Sequence, residues 1–307
     1  MPLVIQVVVT GVAAGAVYGL VATGYALVYR LTGVVHLAFG ELLGLAGFAM
    51  LLAAAGSDPL VAGGISPGRY AIGLGAGLAV AVLSSLVLYA IVRPFLRPGR
   101  ELGWIGAVAA VAFAVRGVLA SSFARESYVF PDLLPLHRLG DAGVLRLGGG
   151  VTLPIRTFFV IAVGFALAAA MARLLDRSRV GVAFRAIAED PMAARAVGLP
   201  VDALRFAAFA LAGGVAILAV IVSAPSAPFG AATGGAIGLK GLVAALLAGF
   251  GSPWRALGAG AAVGIVETAV SVSPLPLIPG ELRDVVPLLL ALVLLAGRRR
   301  TASLEVS

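Results

Sequence analysis

Four charged side chains sit inside long apolar runs of this chain: Glu41, Arg116, Lys240 and Glu267. Charged groups within lipid are expensive, and they pair, line a polar path, or serve as proton or ion sites. On neighbouring antiparallel helices Lys240 and Glu267 fall at matching depth, about five and six residues from the same end at 1.5 Å per residue. An ion pair between them is expected, because removing one partner strands the other charge at several kcal/mol. The competing expectation is that each snorkels separately to water or headgroups. Glu41 follows Gly40 roughly 12 Å into its span, where it lines a path or hydrogen-bonds a broken helix. Arg116 is expected to snorkel to the outer surface.

A second charged group lies outside the apolar runs, in Gly181-Val-Ala-Phe-Arg-Ala-Ile-Ala-Glu-Asp-Pro-Met-Ala-Ala-Arg-Ala-Val-Gly198. Asp190 and Pro191 form a helix start, the aspartate capping orphan N–H groups and the proline occupying the first turn. Met192 to Val197 supply about two turns, Gly198 stands where a left-handed C-terminal cap belongs, and Pro200 discourages resumption. Upstream, Phe184 and Ile187 make a small apolar face, with Arg185 and Glu189 on other faces. The segment predicts two short helices that either dock on a soluble partner or lie in the membrane interface. The short, alanine-built stripe favours docking.

Other chemistry is missing. There is no Gly-x-x-x-x-Gly-Lys-Ser/Thr phosphate loop, Gly-x-Ser-x-Gly elbow or His-Glu-x-x-His helix. With no cysteine and only His36 and His137, no metal centre, disulfide or catalytic set is expected. Any uphill movement must draw on an ion gradient or on a partner that binds ATP.

These groups are positioned by membrane helices. The 307 residues are 61% hydrophobic and 12% charged, whereas soluble domains carry about a quarter charged residues. Candidate crossings of roughly 20 residues fall near 3–29, 33–55, 70–92, 104–120, 157–175, 206–223, 235–250, 256–273 and 285–297. The chain thus reads as an all-α polytopic membrane protein, one bundle over 1–307 of about eight or nine transmembrane helices. A coupling segment lies near 176–205 and a long extracytoplasmic loop near 121–156. Of 21 arginines, Arg30, Arg93, Arg97, Arg100, the six from Arg173 to Arg205, Arg255 and Arg298 to Arg300 fall on one side, 14 in all. Arg69, Arg125, Arg138, Arg146, Arg156 and Arg283 make six on the other, and Arg116 lies within a span. The positive-inside rule then places the N-terminus outside and the C-terminus in the cytoplasm. Nine crossings satisfy this parity; eight with a re-entrant hairpin need a different N-terminal side. The net charge of +8 is explained by topology, and no nucleic acid partner is expected. The first span lacks the basic start of a signal peptide. Gly11, Gly15 and Gly19, with Gly260 and Gly264, form small-residue stripes suited to helix packing.

The 181–198 segment resembles the cytoplasmic coupling loop of permease subunits of branched-chain amino acid ABC importers, the LivH type. That family's pattern Gly-x-x-x-Arg-Ala-x-Ala-Glu-Asp-x-x-x-Ala-x-x-x-Gly-Ile is met by Gly181, Arg185, Ala186, Ala188, Glu189, Asp190, Ala194 and Gly198, with Leu199 for Ile. Tyr18 to Gly24 with Val28-Tyr29 resembles the first helix, and Gly33 to Glu41 the block that follows. Gly238 to Gly241, Gly249 to Ser252, Gly264 to Glu267 and Asp284-Val-Val286 agree in order. In the second block His36 and Phe39 stand where the family has Asn and His, a departure that changes polarity there.

The resemblance implies an importer subunit with ATPase-coupling residues Arg185, Glu189, Asp190, Pro191, Arg195 and Gly198, and a substrate path at His36, Phe39 and Glu41. It implies cytoplasmic ABC ATPases that bind the ATP, a second permease (copy or paralogue) and an extracytoplasmic binding protein, with no cofactor on this chain. A permease of the same architecture for urea, short amides or sugars remains an alternative. So does an ion-coupled transporter using Glu41 or Glu267. A membrane enzyme is disfavoured by the missing catalytic set.

Overall fold

A computed structural model describes residues 2–56, 65–96, 103–123, 128–130, 143–147, 151–224, 228–272 and 289. Its helices are α1 (Pro2–Thr32), α2 (Phe39–Ala55), α3 (Pro67–Val92), α4 (Gly103–Ser122), α5 (Ile155–Arg177), α6 (Arg179–Glu189), α7 (Pro191–Ala196), α8 (Val201–Ser223), α9 (Thr233–Leu247) and α10 (Pro253–Val272). Six of them are long and apolar enough to cross a bilayer, and α2 and α9 are shorter apolar helices. Apart from Leu289, the expected crossing at 285–297 lies outside the described residues.

The helices associate by close backbone approach, as expected where lipid offers no hydrophobic drive. α1 and α10 run antiparallel, with Gly11, Gly15 and Gly19 against Gly264, Ala261 and Leu257. A Cβ on Gly19 would stand 2.7 Å from the Leu257 Cα. The two short helices cross in the same manner, Gly40 of α2 meeting Gly234 and Gly238 of α9. At 17 and 15 residues they fall below the ~30 Å of a hydrocarbon core.

The second expected span shortens for a physical reason. Residues 33–38 are not helical: Gly33 takes φ +70° and the Phe39 N–H donates to the His36 carbonyl. Val34, His36 and Ala38 are buried in protein, the condition under which irregular backbone is tolerated beside lipid.

The expected loop at 121–156 is partly core. Tyr128 pairs with Phe229 through two backbone hydrogen bonds, and Phe48, Phe123, Tyr128, Phe130 and Phe229 stack as one aromatic cluster. An antiparallel ribbon, β1 (Val144–Leu147) and β2 (Val151–Pro154), then runs directly into α5. β1 and β2 are the two strands among the described residues.

Because Gly15 faces backbone, Gly15→Val forces α1 and α10 apart. The solubilised protein is expected to lose about 1–3 kcal/mol of stability, read as a lower melting temperature. Gly258 meets nothing nearby, so Gly258→Ala is expected to raise stability by about 0.5–1 kcal/mol through helix propensity. Equal melting of the two variants would contradict close packing at Gly15.

Candidate functional site

At one end of the bundle α5, α6, α7 and α8 form a compact elbow. Ser178 caps α6 by accepting from the Gly181 N–H at 3.0 Å. Gly181 is required here: a Cβ would run into the Leu175 carbonyl where α6 folds back on α5. Arg185 donates to that same Leu175 carbonyl, tying the two helices. At the elbow the Asp190 side chain accepts from Met192 and Ala193 N–H at 2.7 and 3.0 Å, while its own N–H closes α6 on Ala186. Pro191 opens α7. Gly198, at φ +87°, ends α7 with Gly198 N–H to Arg195 and Leu199 N–H to Ala194, a Schellman closure.

The elbow is fixed to the membrane helices from beneath. Phe184 and Ile187 of α6, Ala194 of α7, and Val201 and Ala208 of α8 pack with Leu27 and Leu31 of α1. The buried Arg205 donates Nε to the Leu31 carbonyl at 2.8 Å, placing a cation at the C-terminus of α1 where the helix dipole favours it. Asp202 binds Arg195 at 3.3 Å and Arg93 at 3.4 Å, and its backbone carbonyl accepts from the Tyr89 hydroxyl at 3.2 Å. The elbow is thereby linked to α3 as well.

The residues expected to couple therefore divide. Arg185, Asp190, Pro191, Arg195 and Gly198 build the elbow, whereas Glu189 is exposed and lines a 280 Å³ cleft with Arg30, Asp176 and Phe184. Sequence reasoning missed Met192 and Val197, each 78% exposed on the outer face. Two large apolar groups on an otherwise arginine-rich surface are a contact signal. In the sequence they read as ordinary helix positions.

The intramembrane charges form two pairs. Lys240 Nζ lies 2.6 Å from Glu267 Oε1, and the Tyr18 hydroxyl donates to Glu267 Oε2 at 2.7 Å. Glu41 is buried in the first turn of α2, favourable for a carboxylate, with Gly235 leaving room for it. Arg116 keeps its side chain 58% exposed and brings Nη1 to 3.7 Å from Glu41 Oε1. His36 and Phe39 are both fully buried, with His36 flanked by the rings of Phe39 and Phe209.

The chain that carries this elbow and these charge pairs has relatives of known family. The family model for the branched-chain amino acid transport system permease component matches residues 7–295. This chain belongs to that family. The permease BraD of Pseudomonas aeruginosa, named a high-affinity branched-chain amino acid transport system permease protein, is 28% identical over 86% of this chain and 85% of its own length. LivH of Escherichia coli K12 is 28% identical, and LivH of Salmonella typhimurium 26%, each over 95% of this chain and 92% of the relative. In this permease family member the match spans the elbow, both charge pairs and the described membrane helices from residue 7 onward.

Breaking the Lys240–Glu267 pair tests its structural weight. Lys240→Met alone leaves Glu267 nearly buried and uncompensated and is expected to cost about 3–5 kcal/mol. Lys240→Met with Glu267→Met is expected to restore most of the folded yield, measured by size-exclusion of solubilised protein. An uncoupled result, with the double variant as poor as the single, would show that the pair is not interdependent.

Proposed function

We propose that this chain is a membrane-spanning subunit of an ABC importer carrying branched-chain or related amino acids across the cytoplasmic membrane. The elbow of α6 and α7 faces the cytoplasm and seats on a partner ATPase, with Met192, Val197 and Glu189 as its contact residues. ATP is bound by that partner, and this chain carries neither cofactor nor catalytic group. A second permease subunit completes the membrane unit, and a binding protein delivers substrate at the opposite end, beside the β1–β2 ribbon.

The exposed, doubly capped elbow carries this reading. It holds apolar contact groups away from the bundle, yet its inner face is continuous with Leu27 and Leu31 of α1. Displacement of the elbow as the ATPase closes thus reaches α1 through packed side chains rather than through a loose linker. The arginine distribution, 14 against six, supports a cytoplasmic elbow with the N-terminus outside and the C-terminus inside.

The test uses the assembled importer in cells. Wild-type is expected to take up labelled leucine in preference to urea, with vanadate blocking uptake and a proton uncoupler sparing it. Glu189→Arg and Met192→Asp are expected to leave insertion intact but to cut uptake by about tenfold or more, the loss of roughly 1.4 kcal/mol of coupling. Normal uptake in both variants would remove the docking assignment, and uncoupler-sensitive, vanadate-insensitive uptake would point to an ion-coupled carrier.

A further inference from the structure

At the end of the bundle away from the elbow lies a 670 Å³ cavity between α1, the β2–α5 junction, the end of α8 and the start of α9. Pockets that hold small ligands run to about 300–1,000 Å³. This one extends along α1 from Gln6 to Tyr18, roughly 18 Å at 1.5 Å per residue, so its floor lies well inside the bundle. Its wall is apolar and branched at Val17, Val160, Val222 and Ile237, and its floor carries Tyr18 and Lys240. Thr233, Ala236, Ile237 and Lys240 recur on one face of α9 and all line the cavity.

We infer that this cavity is a binding station for an α-amino acid with an apolar side chain, its carboxylate received by Lys240. The inference rests on the importer reading and adds the site within it. Lys240 suits the task because its charge is already held: Glu267 bonds it at 2.6 Å, the Tyr18 hydroxyl engages the other Glu267 oxygen at 2.7 Å, and the Tyr18 ring lies 5.7 Å from Nζ. Lys240 brings an ammonium with three N–H donors to the cavity floor, one of them on Glu267. A second cation, Arg156, lines the same cavity toward its mouth and donates Nη2 to the Val222 carbonyl at 3.4 Å. Past the floor, Leu20, Val21 and Thr23 of α1 are buried.

The chain has no cysteine, which makes thiol labelling clean. In the assembled importer in membranes, Ala236→Cys is exposed to a membrane-impermeant sulfonated methanethiosulfonate added from outside. The cysteine is expected to label, and leucine or 4-methylpentanoate at about ten times its Kd is expected to slow labelling roughly tenfold. Isoamylamine, which keeps the side chain and the amine but lacks the carboxylate, is expected to give no protection. In the Lys240→Met/Glu267→Met background the cysteine should still label, with protection by leucine lost. Leucine uptake by Ala236→Cys without protection, or protection by isoamylamine in place of 4-methylpentanoate, overturns the station and leaves the importer reading standing. No labelling from outside also overturns it. Absence of leucine uptake in the wild-type importer overturns the importer reading itself.

Discussion

Helices in lipid gain little by hiding apolar side chains from their surroundings, so their association depends on how closely backbones can approach. In this permease that constraint is met mainly along α1. Gly11, Gly15 and Gly19 admit the backbone of α10 on one face, Ala16 meets Gly164 of α5, and Val21 fills the notch at Gly241 of α9. A helix contacted on several sides through small residues is held by many short contacts at once. It has little freedom to move without its neighbours.

This places α1 between the elbow and the large cavity. Toward its C-terminus Leu27 and Leu31 belong to the apolar cluster under the elbow, and Arg205 closes on the Leu31 carbonyl. Toward its N-terminus Tyr18 reaches Glu267 and the floor of the large cavity. Leu31 and Tyr18 are about 20 Å apart along one continuous helix at 1.5 Å per residue. On the proposed reading, a push on the elbow reaches the Tyr18–Glu267–Lys240 group without crossing a loop. The polar groups also keep the bundle specific: Lys240 with Glu267 and Arg116 with Glu41 each join helices far apart in sequence.

The elbow illustrates how local and tertiary forces share one structure. Its caps are local chemistry, set by Ser178, Asp190, Pro191 and Gly198 within a few residues of the groups they satisfy. Its attitude is tertiary, since Arg185 must find Leu175, Arg195 must find Asp202, and Phe184 must find α1. Residues that share a family motif thus do different work, most building the element and a few presenting a surface.

Most of the helices, the two short helices at Asp190 and the partnership of Lys240 with Glu267 were legible from sequence alone. Each follows from length, hydropathy, capping chemistry or the cost of an unpaired charge, which are properties of a residue and its near neighbours or of depth in a membrane. The ribbon at 144–154 was not legible, because its short strands carry little periodic signal amid a polar loop. Nor was the unwound 33–38 segment, whose apolar residues read as a continued span. The exposure of Met192 and Val197, the approach of Arg116 to Glu41 and the burial of His36 depended on which helix faces meet. The sequence by itself determined a polytopic helical membrane protein with a capped elbow, since local propensity and membrane cost dictate those features. Only the tertiary structure decided which side chains face a cavity, a partner or the core, because that depends on the rotation and depth of each helix against its neighbours.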